Sequence, residues 1–551
     1  MRYVFKKRNA AADPAVIERL AKEFGVGHLL AELLAVRGIV EDTGAFLNPD
    51  IRNMYDPHMF GGMKKAVEVI RRHIKAQSKI CVFGDYDSDG VNAAVILYLT
   101  LKKMGGNAAV YLPRRAEGYG LSMNAVGKIA QSDAKLLITA DCGISNVEEI
   151  AAAKEHGMDV VLTDHHECPA VLPGADAILN PKREGETYPF RELCGGGVVF
   201  KLACALIGKE AFELIDFAAV ATIGDVVPLV GENRIISAKG LYKLTMAPSP
   251  GLKYLMKEAG MNKRPVESEA VAFGLVPRIN AAGRLEDPRA AFDLLCGEGS
   301  PEQLQNWARK LCALNLKRQG MQEGIVSQAM QMAEGYGGDR LFVLQSENWD
   351  PGIVGLAASA LVERFCKPAI LFGERDGMYV GSARSIDGVN IYNAVRACED
   401  LLVVYGGHEA AAGMTVKKEN LPALRKRLNS YLFEKYTNED FLPTALYDME
   451  ANLADLGADV VRELAGLKPF GCENEPARIL LKDVVVAQKT PVGNGKHSKL
   501  RLNQNGAFMG AVAFGKTASE IPGRMDALVS VQISDYSGAA EAVVEVMSFE
   551  T

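Results

Sequence analysis

Residues 79–92 read KICVFGDYDSDGVN, and this stretch decides the fold of the chain. An apolar segment leads to Gly84 and is followed by three carboxylates at alternate positions, Asp85, Asp87 and Asp89. The next residues, VNAAVILYLTLKKM, have the composition of a helix. A buried strand that ends at a glycine and is followed by acids and a helix is typical of open α/β sheets, which present their sites at the carboxyl ends of the strands.

Two later segments end in the same way. Residues 136–141 read LLITAD and residues 160–166 read VVLTDHH. Their closing side chains are common metal ligands: Asp141, Asp164, His165 and His166. A further acid, Asp225, follows an apolar helical run. Four carboxylates and one imidazole exceed what one magnesium ion draws from protein, so they favour two divalent ions about 4 Å apart. The oxygen-rich ligands favour Mn²⁺ or Mg²⁺ over zinc.

Simpler explanations exist for these groups. Aspartates are common turn formers, and Asp141 would also serve as a helix N-cap. Three acids at alternate positions would repel one another without a cation, however, and Asp225 would be costly to bury without one. We therefore expect Asp85, Asp87 and Asp141 to bind metal. Of the two adjacent histidines, we expect one to bind metal and the other to donate to a phosphate, with Asp164 fixing a tautomer.

The remaining patterns predict a multidomain α/β chain. Strands alternate with helices of about ten residues up to about Leu179, which predicts parallel βαβ units. Two apolar helices then lead to Asp225, and a second α/β pattern begins at Arg340. The last hundred residues contain five short strands with Gly and Asn turns, which indicate a small β-barrel. The expected parts are an N-terminal helical segment that packs beside the domain after it (1–50), a parallel-sheet domain (51–300), a long connecting helix (301–335), a smaller α/β domain (336–440) and an OB-like barrel (441–551).

Composition excludes several classes of protein. The chain has 551 residues, of which 48% are hydrophobic and 24% charged, and it contains no apolar run long enough for a transmembrane helix. A net charge of −6 neither advertises nor excludes nucleic-acid binding, which depends on local basic patches. The ten cysteines are scattered without a C-x-x-C pair, and the start of the chain does not resemble a secretory signal. We expect reduced thiols and a cytoplasmic location.

The motifs carry a resemblance to a known family. GDYDSDG, ADCG, TDHH and Asp225 resemble the successive motifs of the DHH phosphoesterase superfamily. PRINAAGR (277–284) is similar to a segment of its branch of single-strand-specific exonucleases, which degrade DNA from the 5′ end. Segments similar to the DHH-associated domain and to the terminal nucleic-acid-binding barrel follow: WDPGIVGLAASALVERF (349–365), GSARS (381–385), GGHEAAAG (406–413), PFGCENEPA (469–477) and GKHSKL (495–500).

The resemblance implies roles for individual residues. The metal ligands it implies are Asp85, Asp87, Asp141, His165 and Asp225. His166 would contact the scissile phosphate, and Asp141 and Asp164 would complete the catalytic group. Substrate would be bound by Arg278, Asn280 and Arg284, by Ser382, Arg384, Gly407 and His408 in the smaller domain, and by Lys496 and Lys499 in the barrel, beside Lys489, His497 and Arg501. For each arginine the alternative is a surface ion pair, and for the barrel cations it is a solvated face.

The implied activity is hydrolysis of single-stranded DNA in the 5′ to 3′ direction, with two Mn²⁺ or Mg²⁺ ions. Single-stranded DNA is the expected partner, a helicase or single-strand-binding protein is a further candidate, and a monomer is expected. The alternatives are a small-substrate phosphodiesterase acting on short oligonucleotides or cyclic dinucleotides, and an inactive DNA-binding scaffold. Two residues depart from the family pattern: Asn92 replaces a usual threonine, and Asp350 replaces a usual histidine, which places an acid where a phosphate would bind.

Overall fold

The computed structural model describes residues 3–10, 12–118, 120–261, 264–534 and 537–548. The chain forms two compact units. One comprises residues 7–314 and 447–548, and the other comprises residues 3–6 and 315–446. Within the described ranges, no helix combines the length and the apolar character needed to cross a bilayer.

The N-terminal segment is helical, as expected, and it also packs against a distant part of the chain. It contains β1 (Val4–Lys7), α1 (Pro14–Phe24), α2 (His28–Val36) and α3 (Thr43–Leu47). Ile17, Leu20 and Leu34 share one hydrophobic cluster with Leu481 and Leu502 of the C-terminal barrel. The segment does contact the domain that follows it, because the Phe46 carbonyl accepts a hydrogen bond from Arg234 of that domain (2.8 Å). The expectation did not include the burial of its apolar face against strands more than 400 residues later.

A parallel sheet forms the centre of the first unit. Its strands are β2 (Lys79–Gly84), β3 (Asn107–Tyr111), β4 (Leu136–Ala140), β5 (Asp159–Thr163) and β6 (Ala177–Leu179), in the spatial order β3-β2-β4-β5-β6. All four pairings are parallel, so the carboxyl ends of the strands share one edge. The helices before and between them are α4 (Met63–Lys75), α5 (Ser88–Lys103), α6 (Met123–Gln131) and α7 (Val147–Glu155).

A helical layer follows the sheet. It consists of α8 (Gly195–Ile207), α9 (Ile215–Gly224), α10 (Gly231–Met246), α11 (Pro250–Glu258), α12 (Ser268–Ala270), α13 (Val276–Leu285) and α14 (Arg289–Cys296). Helices α5, α8 and α9 contribute to the same hydrophobic core as strands β2 and β4, which explains their almost wholly apolar sequences. The predicted long helix is α15 (Pro301–Glu334).

The second unit contains a mixed five-stranded sheet. Its elements are β7 (Phe342–Ser346), α16 (Val354–Phe365), β8 (Ala369–Arg375), β9 (Met378–Arg384), α17 (Ile391–Arg396), β10 (Leu402–His408), β11 (Ala411–Lys417) and α18 (Leu421–Lys435). The strand order is β10-β11-β9-β8-β7, and only β7 and β8 are parallel.

The C-terminal part is a closed barrel. After β12 (Thr444–Tyr447), which pairs with β1, come β13 (Met449–Glu450), α19 (Ala458–Ala465), β14 (Ile479–Val492), β15 (His497–Gln504), β16 (Ala507–Ala513), β17 (Arg524–Ile533) and β18 (Ala540–Ser548). The pairings run β14-β15-β16-β18-β17, and β17 returns to β14. The five predicted strands therefore form the expected OB-like barrel.

Candidate active site

The loop after β2 is shaped by its own carboxylates and glycines. Asp87 is the N-cap of α5, and its Oδ1 accepts hydrogen bonds from the backbone N–H groups of Asp89 (2.9 Å) and Gly90 (3.1 Å). A Cβ at Gly90 would lie 2.6 Å from the Cβ of Asp85, so only glycine allows the helix to begin this close to that carboxylate. Asp85 is 3% exposed, and its Oδ1 has no hydrogen-bond partner among the described residues.

Asp141 lies at the end of β4, where its backbone takes a φ of 68°. The residue is 2% exposed, and its Oδ1 lacks a hydrogen-bond partner in the described ranges. The start of α8 lies directly against it, because a Cβ at Gly195 would be 2.3 Å from that oxygen. The glycine run that begins α8 therefore leaves room for a carboxylate, a role that its sequence position alone does not indicate.

Asp164 organises the two histidines after β5. Its Oδ2 accepts from the Ile144 N–H (2.9 Å), and its Oδ1 accepts from the N–H groups of His165 (2.7 Å) and His166 (3.1 Å) and lies 2.7 Å from His166 Nδ1. Burial opposes ionisation of Asp164, but these hydrogen bonds and the charge of His166 lower its pKa below the usual value. The carboxylate is then an acceptor only, so His166 carries its proton on Nδ1 and Nε2 faces away from Asp164.

His165 faces the other acids. Its Nε2 lies 3.2 Å from Asp141 Oδ1, 3.6 Å from Asp225 Oδ2 and 3.8 Å from Asp89 Oδ2. Burial lowers the pKa of His165 to about 4, so the ring is neutral at physiological pH and can offer a lone pair. This Nε2 is also buried without a hydrogen-bond partner among the described residues.

Asp89, in the first turn of α5, is held by backbone groups of another helix. Its two carboxylate oxygens accept from the N–H groups of Gly195 (2.8 Å) and Gly196 (2.6 Å) at the start of α8. A carboxylate at a helix N-terminus is favoured by the exposed amides and by the helix dipole. Asp89 therefore connects α5 to α8 directly beside His165.

The expected metal ligands lie together at this edge of the sheet. Three overlapping groups, each with ligand atoms within 4.8 Å of one another, are Asp85–Asp87–Asp141, Asp89–His165–Asp225 and Asp141–His165–His166. Burial, with the neighbouring carboxylates, raises the pKa of Asp85 to about 7 and that of Asp225 to about 8, and raises that of Asp141 well above its usual value. Buried, unpaired oxygen and imidazole ligands with mutual repulsion fit a divalent cation of the Mn²⁺ or Mg²⁺ class.

Helix α13, which carries PRINAAGR, packs on the loop after β2. Asn280 Oδ1 accepts from the Ser88 N–H (2.6 Å), and a Cβ at Gly283 would lie 2.3 Å from the Tyr86 carbonyl oxygen. Arg284 is close enough for its charge to act on the Tyr86 hydroxyl, which burial and Asp85 shift to a higher pKa. Arg278 donates to the Gly274 carbonyl (2.6 Å) and to Cys312 Sγ (3.2 Å). Of the three residues expected to bind substrate, Asn280 thus supports the loop directly.

The four expected residues of the second unit lie on neighbouring strands. Arg384 pairs with Ala411, which pairs with His408, and Ala383 pairs with Ala412, which pairs with Gly407. Arg384 donates to Ser382 Oγ (3.0 Å), and a Cβ at Gly355 in the first turn of α16 would be 2.7 Å from that hydroxyl. The arrangement combines an arginine, a hydroxyl and a helix N-terminus, which are groups that bind phosphate.

The barrel cations differ in their surroundings. Lys499 and Arg501 alternate on the exposed face of β15, and Arg501 stacks on Phe508, with its Cζ 4.7 Å from the ring centroid. Lys496 lies in the turn before β15, whereas Lys489 donates to the Ile521 carbonyl. Phe508 and Phe514 are 56% and 59% exposed, and these aromatic residues were not predicted as functional. Their outward position follows from the strand alternation in FMGAVAF, but only once the register is known.

Comparisons with known proteins agree with the geometry. Residues 79–224 match the DHH family N-terminal domain, residues 338–434 the DHHA1 domain and residues 447–547 the RecJ OB domain. The chain is 40% identical over 511 residues to the single-stranded-DNA-specific exonuclease RecJ of Bacillus subtilis, covering 92% of this chain and 65% of that protein. It is 33% identical over 428 residues to RecJ of Dickeya dadantii, covering 72% of this chain and 74% of that protein.

A solved structure extends the similarity to nearly the whole chain. The crystal structure of RecJ from Thermus thermophilus in complex with Mn²⁺ superposes with a TM-score of 0.86 and 26% identity, covering 99% of this chain and 80% of that one. A structure of the same protein with Mg²⁺ gives a TM-score of 0.80. The chain spans 65% of the length of the Bacillus subtilis protein. On the sequence identity and the three matched domains, the chain belongs to the RecJ family of the DHH superfamily.

Proposed function

We propose that this protein is a metal-dependent exonuclease that hydrolyses single-stranded DNA in the 5′ to 3′ direction. The observation that carries the proposal is the group of carboxylates and histidines at the carboxyl ends of β2, β4 and β5, in a chain that belongs to the RecJ family. RecJ of Bacillus subtilis is a single-stranded-DNA-specific exonuclease, and the three domains of this chain match the family in order.

Asp85, Asp87, Asp141, His165 and Asp225 are the proposed ligands of two divalent ions. When bound, such ions supply a nucleophilic water and charge stabilisation for phosphodiester cleavage. Asp141 and His165 each belong to two of the three ligand groups, and Asp141, which has two carboxylate oxygens, would be able to bind both ions. Asp89 Oδ2 lies 3.8 Å from His165 Nε2, and the α8 amides hold this carboxylate beside the proposed ligands.

His166 is the proposed contact for the scissile phosphate. Its Nδ1–H is held by Asp164, so Nε2 is the nitrogen that would face substrate. Burial opposes protonation of His166, but Asp164 outweighs it and raises the pKa above its ordinary value. The protonated ring would donate a charge-assisted hydrogen bond to a phosphate oxygen and hold the reacting bond in place.

The remaining residues are proposed to hold the DNA. On α13, Asn280 accepts a hydrogen bond from the loop after β2, and the charge of Arg284 acts on Tyr86 of that loop; Arg278 and Arg284 are proposed to bind phosphates. On the barrel, Lys496 and Lys499 would follow the DNA backbone, and Phe508 would stack a base. Ser382, Arg384, Gly407 and His408 are proposed to bind the 5′-terminal phosphate. Such backbone contacts predict little sequence preference and strong salt dependence.

Several finer assignments complete the proposal. The proposed domain limits are 1–50, 51–300, 336–440 and 441–551, with a long connecting helix at 301–335. All ten cysteines are free thiols, which supports a cytoplasmic location.

A monomer that works with a helicase or a single-strand-binding protein is the proposed assembly, and sedimentation of the protein with and without such a protein would test it.

The deciding experiment is a time course with Mn²⁺ on oligonucleotides labelled at either end. Single-stranded DNA, duplex DNA, RNA and a cyclic dinucleotide are compared, with Asp141→Ala as the inactive control. We expect stepwise release of mononucleotides from the 5′ end of single-stranded DNA alone. Cleavage confined to dinucleotides would instead favour a small-substrate phosphodiesterase, and binding without cleavage in any metal would favour a scaffold.

A further inference from the structure

The loop that follows the metal ligand Asp225 is held by a segment that belongs to the barrel. We call residues 467–475, between α19 and β14, the tether. The Leu229 N–H donates to the Cys472 carbonyl (2.8 Å). Gly471 lies so close to this loop that a Cβ there would be 2.5 Å from Leu229 Cδ1. Since Leu229 is only four residues after Asp225, the tether contacts the chain close to a proposed metal ligand.

Arg234, at the start of α10, anchors the other end of the same loop. It is 1% exposed and donates to the carbonyls of Leu467 (2.8 Å), Lys468 (3.0 Å) and Pro469 (3.4 Å), and to that of Phe46 (2.8 Å). Burial lowers its pKa to about 10. Displacing a buried guanidinium from the carbonyls that accept its N–H groups is costly, so these hydrogen bonds fix the beginning of α10 to the tether.

The tether is also fixed internally and to a third helix. Asn474 Nδ2 donates to the carbonyls of Leu467 and Pro469, both at 2.8 Å. Ser268, which begins the helical run leading to α13, donates from Oγ to the Phe470 carbonyl (2.5 Å). The tether therefore touches both chain segments that flank the proposed metal centre, the loop after Asp225 and the approach to α13.

The loop itself has little to hold it at its first residue. Val226 is 67% exposed and takes a φ of 59°, an uncommon conformation for a β-branched residue. Strained backbone of this kind persists where the surroundings fix it. Two contacts with the tether fix this loop in that way: the hydrogen bond from Leu229 to Cys472 and the hydrogen bonds from Arg234 to the tether carbonyls.

We propose that the tether positions Asp225 for cation binding, so that the barrel module sets the affinity of the metal centre. The tether residues and Arg234 are positioning residues, because they act through the Asp225 loop and touch neither substrate nor the ligand atoms. This inference rests on the metal centre under the proposed function and adds to it a dependence on a segment outside the DHH domain.

The test compares Gly471→Ala with Gly457→Ala. An added Cβ at Gly471 would overlap the Leu229 side chain at Cδ1 (2.5 Å) and Cγ (2.9 Å), so either that buried side chain or the tether must shift. Gly457, also in the C-terminal part of the chain, has no atom within 4 Å of its Cβ position. Binding of Mn²⁺ to the full chain is measured by the electron paramagnetic resonance signal of free Mn²⁺, beside kcat and KM on single-stranded DNA. We expect about tenfold weaker Mn²⁺ binding in Gly471→Ala, a lower kcat, an unchanged KM and wild-type behaviour in Gly457→Ala.

Ser268→Ala provides a second variant in case Gly471→Ala does not fold. It removes only the Ser268 hydroxyl that donates to the Phe470 carbonyl. We expect weaker Mn²⁺ binding in a variant that still folds, with a small decrease in unfolding temperature because the Phe470 carbonyl loses a hydrogen bond. Wild-type Mn²⁺ affinity in the folded variants would overturn the proposed role of the tether without contradicting the proposed function. Absence of Mn²⁺ binding by the wild-type protein would overturn both. An equal loss in Gly457→Ala would also overturn the tether, since its effect would then be a general loss of stability.

Discussion

Gly195 donates its N–H to Asp89 (2.8 Å), and a side chain on the same residue would lie 2.3 Å from Asp141 Oδ1. One position at the start of α8 thus orients one acid and leaves space for another. The helix can begin at the proposed metal centre because its first residues lack side chains. The same backbone amides that hold Asp89 would be pushed away if a Cβ were added.

Gly195→Ala should therefore damage the active site far more than a helical glycine replacement normally does. A displacement of about 1 Å at the reacting groups costs roughly 10²-fold in rate, and we expect a loss of that size with much weaker Mn²⁺ binding. The matched control is Gly127→Ala in α6, where a Cβ would meet no atom within 4 Å. Activity and Mn²⁺ affinity near wild type in Gly195→Ala would contradict this account of the helix start.

Asp164→Asn should separate phosphate contact from metal binding. The amide oxygen can still accept from Ile144 N–H, but the negative charge that orients and protonates His166 is lost. We expect kcat to fall roughly 10- to 100-fold, with Mn²⁺ affinity within about twofold of wild type. The upper pH limit of activity should also move to lower pH. Without Asp164 the pKa of His166 is no longer raised, so the ring loses its proton at a lower pH.

The control for Asp164→Asn is Asp176→Asn, at the opposite end of the same sheet. Asp176 likewise accepts from a strand N–H, that of Val160 at 2.7 Å, and it precedes β6. Near-normal kcat in the Asp164 variant, or an equal loss in the Asp176 variant, would count against an orienting role for Asp164.

The acidic cluster should make the stability of the metal-free protein depend on pH. In the folded chain the pKa values of Asp85 and Asp225 are raised to about 7 and about 8, and in the unfolded chain they return to about 4. The folded state binds these protons more tightly, so their stabilisation is complete below about pH 4 and is lost as the pH rises through 7 and 8.

Thermal unfolding with a chelator and with Mn²⁺ measures this dependence. With the chelator, Tm should decrease from pH 6 to pH 8.5, and Mn²⁺ should raise Tm more at pH 8.5 than at pH 6, because the ionised ligands bind the cation. The Asp85→Asn/Asp225→Asn double variant should lose most of the slope. If Mn²⁺ raises Tm by the same amount at both pH values, the pKa values of Asp85 and Asp225 are not raised in the folded protein.

Local sequence rules predict which acids and histidines lie at the strand ends, but they do not predict the contacts that support them. The strand ends at Asp85, Asp141 and Asp164 are recognisable because apolar runs and glycines mark where each strand stops, and parallel strands place those ends at one edge. Contacts between distant segments carry no such local signal. The burial of α1 and α2 against the barrel, and Asn280 on Ser88, depend on packing that an amphipathic pattern leaves open.

The departure at Asp350 makes a prediction about the 5′ end. Asp350 Oδ1 accepts from the Gly352 N–H (2.7 Å), and its backbone carbonyl accepts from the N–H groups of Ile353 (2.9 Å) and of Val354, the first residue of α16 (3.1 Å). The acid thus stabilises the turn into the helix whose first residues approach Ser382 and Arg384. Its charge opposes a phosphate at the same helix end.

Asp350→Asn keeps the hydrogen bond and removes the charge. We expect KM for a 5′-phosphorylated oligonucleotide to fall about fivefold, the effect of about 1 kcal/mol from one nearby charge in water, while KM for the 5′-hydroxyl form changes little. The control is Asp376→Asn in the turn between β8 and β9, at the far end of β9 from Arg384. Equal changes for both oligonucleotides, or the same change in Asp376→Asn, would mean that the 5′-phosphate does not bind beside Asp350.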